Sequence, residues 1–431
     1  MTAELSLHRA SLRPMNGTTE QGLLSRRLDR LRLSAPSRSV APRTSSGEHA
    51  ARLAATLGGR ADGPLVIIET AHQLPLDRGA LAGLPLPIDH SLALTCLDLE
   101  TTGLATGPGT LAFLVGMGSW HGDTLVVRQL LLPDHADEQM LLEAIGQALP
   151  RDAALVTYNG RCFDWPLLVA RFRLHGRPAP AVNGHHDLLP LSRLLWRAQL
   201  GNARLATIEA AVCDVMRDED LPGALIPQRY FDYLRDRRPE PLRAVVEHNR
   251  QDIVSLARLL TSMAELASNR GGWPRAHPSV LAGLARAHAR QRRWQEALEV
   301  VEAALGSPAW HRGVVGGGPL WRGLAADRAR LLRRLGRLME AAEAWLEIAS
   351  RGGPGAAQAW LHVARYREHQ LRDLDGALTA CHEALAATER ARMWGRTVPA
   401  VERDLADRMR RLRRRRARGN ARAGRLVSRA A

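Results

Sequence analysis

Lysine is absent from this 431-residue chain; all 60 of its Lys/Arg positions are arginine. A replacement that uniform reads as compositional bias, so arginine richness alone does not single out a nucleic-acid binder. Cysteine is scarce. Cys96, Cys162, Cys213 and Cys381 lie far apart and form no CxxC pair, which excludes a zinc framework and a disulfide scaffold. Cys96 is expected to be buried as a small hydrophobe. No apolar run approaches the ~20 residues that a membrane helix needs. The first residues, MTAELSLHRASLRP, lack the apolar core of a signal peptide. A cytoplasmic protein with no membrane partner is therefore expected.

What is present is a hydrophobic fraction of 45%, enough for a sizeable core and, at this length, for two or three domains. The formal charge of +16 is unevenly placed: Arg408 to Ala431 holds eleven arginines and no acid, so the rest of the chain carries only +5. Residues 1–63 are rich in Ser, Pro, Arg and Gly, with one short amphipathic piece at Leu23–Leu33, and read as a largely disordered arm. Residues 64–268 read as α/β. A possible strand at Pro64–Glu69 is followed by a firm one at Leu92–Leu97. Thr110–Trp120 and Thr124–Leu132 flank the turn His121-Gly122-Asp123 as a hairpin. Asp134–Leu149 has helical spacing, Ala153–Tyr158 is a strand, and Asn159-Gly160 turns the chain into a helix, Asp164–His175, with Pro166 in its first turn. From Asp187 the pattern is helical. It ends in Pro241–Ala267, where Val245, Ile253, Leu256, Leu259 and Leu260 form a buried stripe.

Past Gly271-Gly272 three segments look alike: Arg293–Leu298, Arg337–Ala342 and Asp373–Leu378. Their corresponding alanines (297, 341 and 377) are 44 and 36 residues apart. Residues 273–390 therefore read as degenerate helical hairpins of tetratricopeptide type, whose ~34-residue period is stretched by a Gly-rich insert near Val315–Pro319. Residues 391–431 read as an arginine-rich tail, a frayed helix or disorder. The tail would lend non-specific nucleic-acid affinity through counterion release, or would serve only as a solubilising end.

Three stretches carry chemistry. In LDLETTG the side chains of Asp98 and Glu100 leave the strand on one face. Two adjacent carboxylates repel and lose hydration, costs that a hard divalent cation relieves. In TYNGRCFD a strand end, a Gly turn and a helix start bring Asp164 to the sheet edge; a plain helix cap would look the same. Phe163 and Trp165 are expected to pack in the core, the other role being to stack under a nucleotide. In EHNRQD, His248 and Asp252 are i and i+4 on a helix and share a face, so the imidazole could take a proton from water beside a cation-binding carboxylate. A surface His–Asp pair is the plain alternative.

In this order the motifs resemble the DEDD exonucleases of the ribonuclease H-like fold, and more closely the YprB-type ribonuclease H-like family. The resemblance runs over Leu92–Leu260, through LDLETTGL, AFLVG, VTYNGRCFDWPLL, HDLLPLSRLLWR, LATIEAAV, LPGALIPQRYFDYL and HNRQDIVSLARLL. It implies a mixed sheet with flanking helices and a 3′–5′ exonuclease using two Mg²⁺ or Mn²⁺ ions on DNA or RNA. Asp98, Glu100, Asp164 and Asp252 would be the metal-binding carboxylates and His248 the general base. Three residues separate His248 from Asp252, the spacing of tyrosine-type members; histidine-type members usually leave four. Thr101, Thr102, Asn159, Arg161 and Phe163 would face the substrate, and Asp187 would be structural, as an N-cap. The alternative from another class is a nucleic-acid-binding scaffold whose helical repeats recruit a protein partner, without catalysis.

Overall fold

The computed structural model describes residues 46–86, 88–89, 91–103, 109–217, 221–310, 318–393, 395 and 399–430, with only the course of the helix given beyond Arg418. The expected disorder of residues 1–45 and most of the Gly-rich insert lie outside the described residues. Helix α1 (Ser46–Leu57) and strand β1 (Arg60–Asp62) lead into β2 (Leu65–Gln73). A short α2 (Arg78–Leu81) precedes β3 (Ala93–Thr101), β4 (Ala112–His121), β5 (Thr124–Leu131), α3 (Glu138–Ala148), β6 (Ala153–Thr157), α4 (Asp164–Leu174) and β7 (Gly184–Asp187). Then come α5 (Leu189–Leu195), α6 (Arg197–Leu200), α7 (Leu205–Val212), α8 (Ile226–Asp236) and α9 (Glu240–Ser268). The C-terminal helices are α10 (Pro278–Arg290), α11 (Trp294–Leu305), α12 (Pro319–Arg334), α13 (Leu338–Ser350), α14 (Ala356–His369), α15 (Leu374–Met393) and α16 (Pro399–Ala430).

Among the described residues seven strands form one mixed sheet, ordered β1-β2-β5-β4-β3-β6-β7. The pairs from β1 across to β3 are antiparallel, whereas β3, β6 and β7 run parallel. The expected hairpin is β4–β5, turned at Gly122 with a φ of +61°. Side-chain alternation sorts β3 cleanly. Leu97 and Leu99 join Leu141, Ile145, Leu168 and Phe172 on the α3/α4 face. Leu94 and Cys96 join Ile253, Leu256 and Leu260 on the α9 face. Asp98 and Glu100 continue the α9 side.

Three features depart from the sequence reading. The disordered arm is expected to reach residue 63, yet Ala50, Leu53 and Ala54 of α1 are buried against Val66, Ile68 and Leu131. Its alanine-rich amphipathicity is too short to stand out among polar neighbours. The sheet gains β7, a four-residue GHHD strand that has no apolar alternation; its parallel pairing with Ala154–Thr157 holds it. The arginine-rich end is a helix from Pro399, docked through buried Val401, Leu405 and Leu412.

The α/β part and the C-terminal helices share one core. Gly283 of α10 lies so close to α5 that a Cβ there would meet the Leu194 carbonyl oxygen at 2.0 Å. Each of the three similar segments begins a helix (α11, α13 and α15) directly after a left-handed residue: Arg292 (φ 58°), Gly336 (φ 79°) and Arg372 (φ 55°). Ala297, Ala341 and Ala377 are all buried. The sequence similarity thus corresponds to one repeated turn-and-pack geometry.

Candidate active site

The site is built where β3 and β6 end and α9 crosses the sheet. Close approach of that helix depends on glycine: a Cβ on Gly116 would stand 2.3 Å from Asn249 Oδ1, and one on Gly118 would stand 2.6 Å from Ile253 Cγ2. Gly116 lies opposite Asp98 in the β3–β4 register. Asn249, fully buried, donates from Nδ2 to Asp98 Oδ2 at 2.8 Å. Its own Oδ1 accepts from Gln129 Nε2 at 2.9 Å, and Gln129 also donates to the Val246 carbonyl at 2.8 Å. A buried amide relay on β5 and α9 therefore aims the Asp98 carboxylate.

Asp164 enters from the other side. Asn159 takes a left-handed φ of 68°, and a Cβ on Gly160 would meet Asp164 Oδ2 at 2.8 Å. Asp187 pins this turn: its carboxylate accepts from the backbone N–H of Asn159 (2.8 Å), Arg161 (3.2 Å) and Leu189 (3.0 Å). Asp252 accepts from Arg217 on Oδ1, while His248 Nε2 lies 3.7 Å from Oδ2. Arg217 also donates from Nε and Nη2 to the two carboxylate oxygens of the buried Glu209.

The electrostatics report convergence. Burial raises the Asp98 carboxyl well above its usual range, and the negative charges of Asp252, Glu100 and Asp164 raise it further, against the Asn249 hydrogen bond. Burial pushes Asp164 up to about 6, opposed by hydrogen bonds from its own backbone and that of Leu99. Asp252 is raised by burial despite the opposing charges of His248 and Arg217. Among the described residues, no three acid, histidine or cysteine side chains stand in a ready metal-ligand arrangement; Asn249 and Arg217 engage two of the acids directly.

Comparison with known proteins finds two similarities. Residues 95–264 match the family model of the ribonuclease H superfamily. That segment resembles a ribonuclease H-like domain. The chain is also 29% identical over 292 residues to "Uncharacterized protein YprB" of Bacillus subtilis (strain 168), covering 67% of this chain and 68% of that protein.

The residues expected to face substrate divide within the ribonuclease H-like domain. Phe163 is 47% exposed just ahead of α4, so it does not pack in the core; Trp165 does pack there, half-buried against the α3/α4 cluster. Position 163 precedes the first helical turn, where the chain leaves the sheet edge outward. Arg161 is exposed as well. Thr101 donates to the Gly103 carbonyl at 2.7 Å and Thr102 Oγ1 accepts from Leu111 N at 3.1 Å, so both hydroxyls are tied to backbone groups just after a bulge at Glu100. Sequence reasoning missed Asn249, Gln129, Arg217 and Glu209. A signal existed for Asn249, which stands four residues after Val245 and four before Ile253, a polar residue on an apolar stripe. Gln129 likewise interrupts the apolar strand VVRQLL. Nothing local marks Arg217.

Proposed function

We propose that the protein is a metal-dependent nuclease, a 3′–5′ exonuclease that hydrolyses the phosphodiester bonds of DNA or RNA. The observation that carries the reading is the convergence on Asp98 of negative charge from Glu100, Asp164 and Asp252, three positions from separate parts of the chain. The donor set is all carboxylate oxygen, as Mg²⁺ and Mn²⁺ prefer, and its mutual repulsion is what a divalent cation relieves. Asp98, Glu100, Asp164 and Asp252 would hold two such ions. When bound, the ions would polarise the scissile phosphate and lower the pKa of water. The chain's own groups do the rest. His248 accepts the proton of the attacking water as its oxygen bonds to phosphorus and the bond to the 3′ oxygen breaks, leaving a 3′ hydroxyl and a 5′ phosphate. Arg161 contacts a backbone phosphate and Phe163 stacks on a base. Thr101, Thr102 and the Asn159 turn border the terminal nucleotide. The three hairpins are read as tetratricopeptide-type repeats, on the strength of their common left-handed turn.

The test is incubation of the full-length protein with end-labelled DNA and RNA in Mg²⁺, Mn²⁺ or chelator. Metal-dependent shortening from the 3′ end is expected, lost in Asp98→Ala. Cleavage that is equal in Asp98→Ala and the parent protein would overturn the reading.

A further inference from the structure

Helix α16 carries two sets of arginines. Arg408, Arg411 and Arg415 turn inward and all reach one carboxylate, Glu368 of α14, whose side chain is 0% exposed. Arg411 and Arg415 each stand 3.0 Å from it, and Arg408 also contacts it. Leu405 and Leu412 are buried on the same side. Positions 405, 408, 412 and 415 recur at helical spacing, so this face is committed to docking. Beside Arg411 and Arg415 the surface continues through Arg410, Arg414 and Arg418, with Arg413 farther round the helix, all exposed. Arg410 pairs with Asp407 and Arg416 reaches Asp375 at 2.9 Å. Among the described residues Arg413, Arg414 and Arg418 have no acidic partner, and no acid follows Asp407 in the sequence. An open groove of about 480 Å³ lies between the arginine rows, lined by Asp407, Arg410, Arg411, Arg414, Arg415 and Arg418.

We propose that this outer face of α16 is a docking surface for the phosphodiester backbone of nucleic acid, read without regard to sequence. It rests on nucleic acid being the substrate and adds a grip on an element separate from the acids that cut. Arg410, Arg414 and Arg418 repeat every four residues, about 6 Å apart along the helix, so the face presents a regular row of guanidinium forks to a regular row of phosphates. The outer positions 410, 413, 414, 417 and 418 include no aromatic or large apolar side chain. A membrane-surface helix would need an apolar face free to insert, and Leu405 and Leu412 are buried against the hairpins.

The experiment measures fluorescence anisotropy of labelled single-stranded DNA, duplex DNA and RNA with the full-length protein in chelator, across a salt series. The fourfold variant Arg410→Gln, Arg413→Gln, Arg414→Gln, Arg418→Gln leaves the Glu368 contacts intact, and circular dichroism and melting check that it folds as the parent does. Expected is at least a tenfold weaker Kd at low salt and, on duplex, a salt slope shallower by about 3, near 0.9 for each phosphate no longer neutralised. In the parent protein, bound nucleic acid should shield Arg413, Arg414 and Arg418 from phenylglyoxal more than it shields Arg408. Hydrolysis of bis(p-nitrophenyl) phosphate, which has no backbone to grip, should be unchanged. An unaltered Kd and slope in the variant, absence of shielding, or equally strong competition by polyglutamate would overturn the proposal. Loss of binding in the variant with no cleavage by any form would instead count against the nuclease reading and leave this surface standing.

Discussion

Two recessed carboxylates in this molecule behave oppositely. Glu368 lies among Arg408, Arg411 and Arg415, and despite its burial the Arg411 hydrogen bond and the charges of Arg408 and Arg411 hold it below the usual carboxylate range. Asp98 is surrounded by other acids, receives one amide hydrogen bond, and is held well above that range. The chain therefore has both the means and the composition to neutralise a buried acid internally, and does so at α14. At the end of β3 it does not: its nearby cation, Arg217, is spent on Glu209 and Asp252. An acid left short of counter-charge in a well-packed fold is what the proposed ion-binding site requires.

Mutation tests the contrast between the two acids from both sides. After the loss expected in Asp98→Ala, the largest effect is expected at His248. His248→Gln should lower cleavage on the order of 10²–10⁴-fold, the usual worth of a general base, with Mn²⁺ uptake retained by calorimetry. A rate near that of the parent would transfer the role of base elsewhere.

Removing the internal counter-ion network comes next. Glu368→Ala strands the buried Arg408 while Arg411 and Arg415, half-exposed, rehydrate. A loss of about 2 kcal/mol in urea denaturation is expected, discounted for that exposure. The sign with pH follows from the depressed value: stability from Glu368 is present above its ordinary pKa of 4.5 and is lost as pH falls through the folded value. Glu368→Gln should therefore flatten the acid limb of the stability curve.

The site should respond in the other direction. Asp164 titrates near 6 in the fold against an ordinary 3.8, so the folded protein binds the extra proton between those values. Metal-free stability then falls as pH rises from about 4 to 6. Asn249→Asp, which replaces the amide donor with another acid, should deepen that fall and cost about 2 kcal/mol at neutral pH. Saturating Mn²⁺ should recover part of it in a melting scan.

An effect of similar size is expected at Gly116. A Cβ there drives into Asn249, and Gly116→Ala should cost about 1–3 kcal/mol. Activity should fall more than stability, because the helix carrying Asp252 is displaced.

Legibility followed the range of the interaction. Asp98 and Glu100 were readable because strand alternation is local, and Asp164 because Asn159-Gly160 marks a strand-to-helix turn. The α9 stripe from Val245 to Leu260 was readable from its period. Helix α1 and β7 were not, since short elements of that kind are held by tertiary pairing rather than by their own pattern. Arg217 joins Asp252 across 35 residues and Arg408 joins Glu368 across 40. In a chain where every cationic Lys/Arg position is arginine, nothing separates a docking arginine from a solvated one until the fold is in view.

Helix α9 has a consequence for dissecting the molecule. Its 29 residues extend about 43 Å at 1.5 Å per residue. Its first half delivers His248 and Asp252 to the sheet, while Met263, Ala264 and Ala267 near its C-terminal end lie in the core shared with the C-terminal hairpins. Severing the chain after Ser268 would lay that apolar flank open to water. The α/β half is thus not a detachable module: a truncated fragment should clump, and whatever strains the hairpins will be felt by the acid on the same rod.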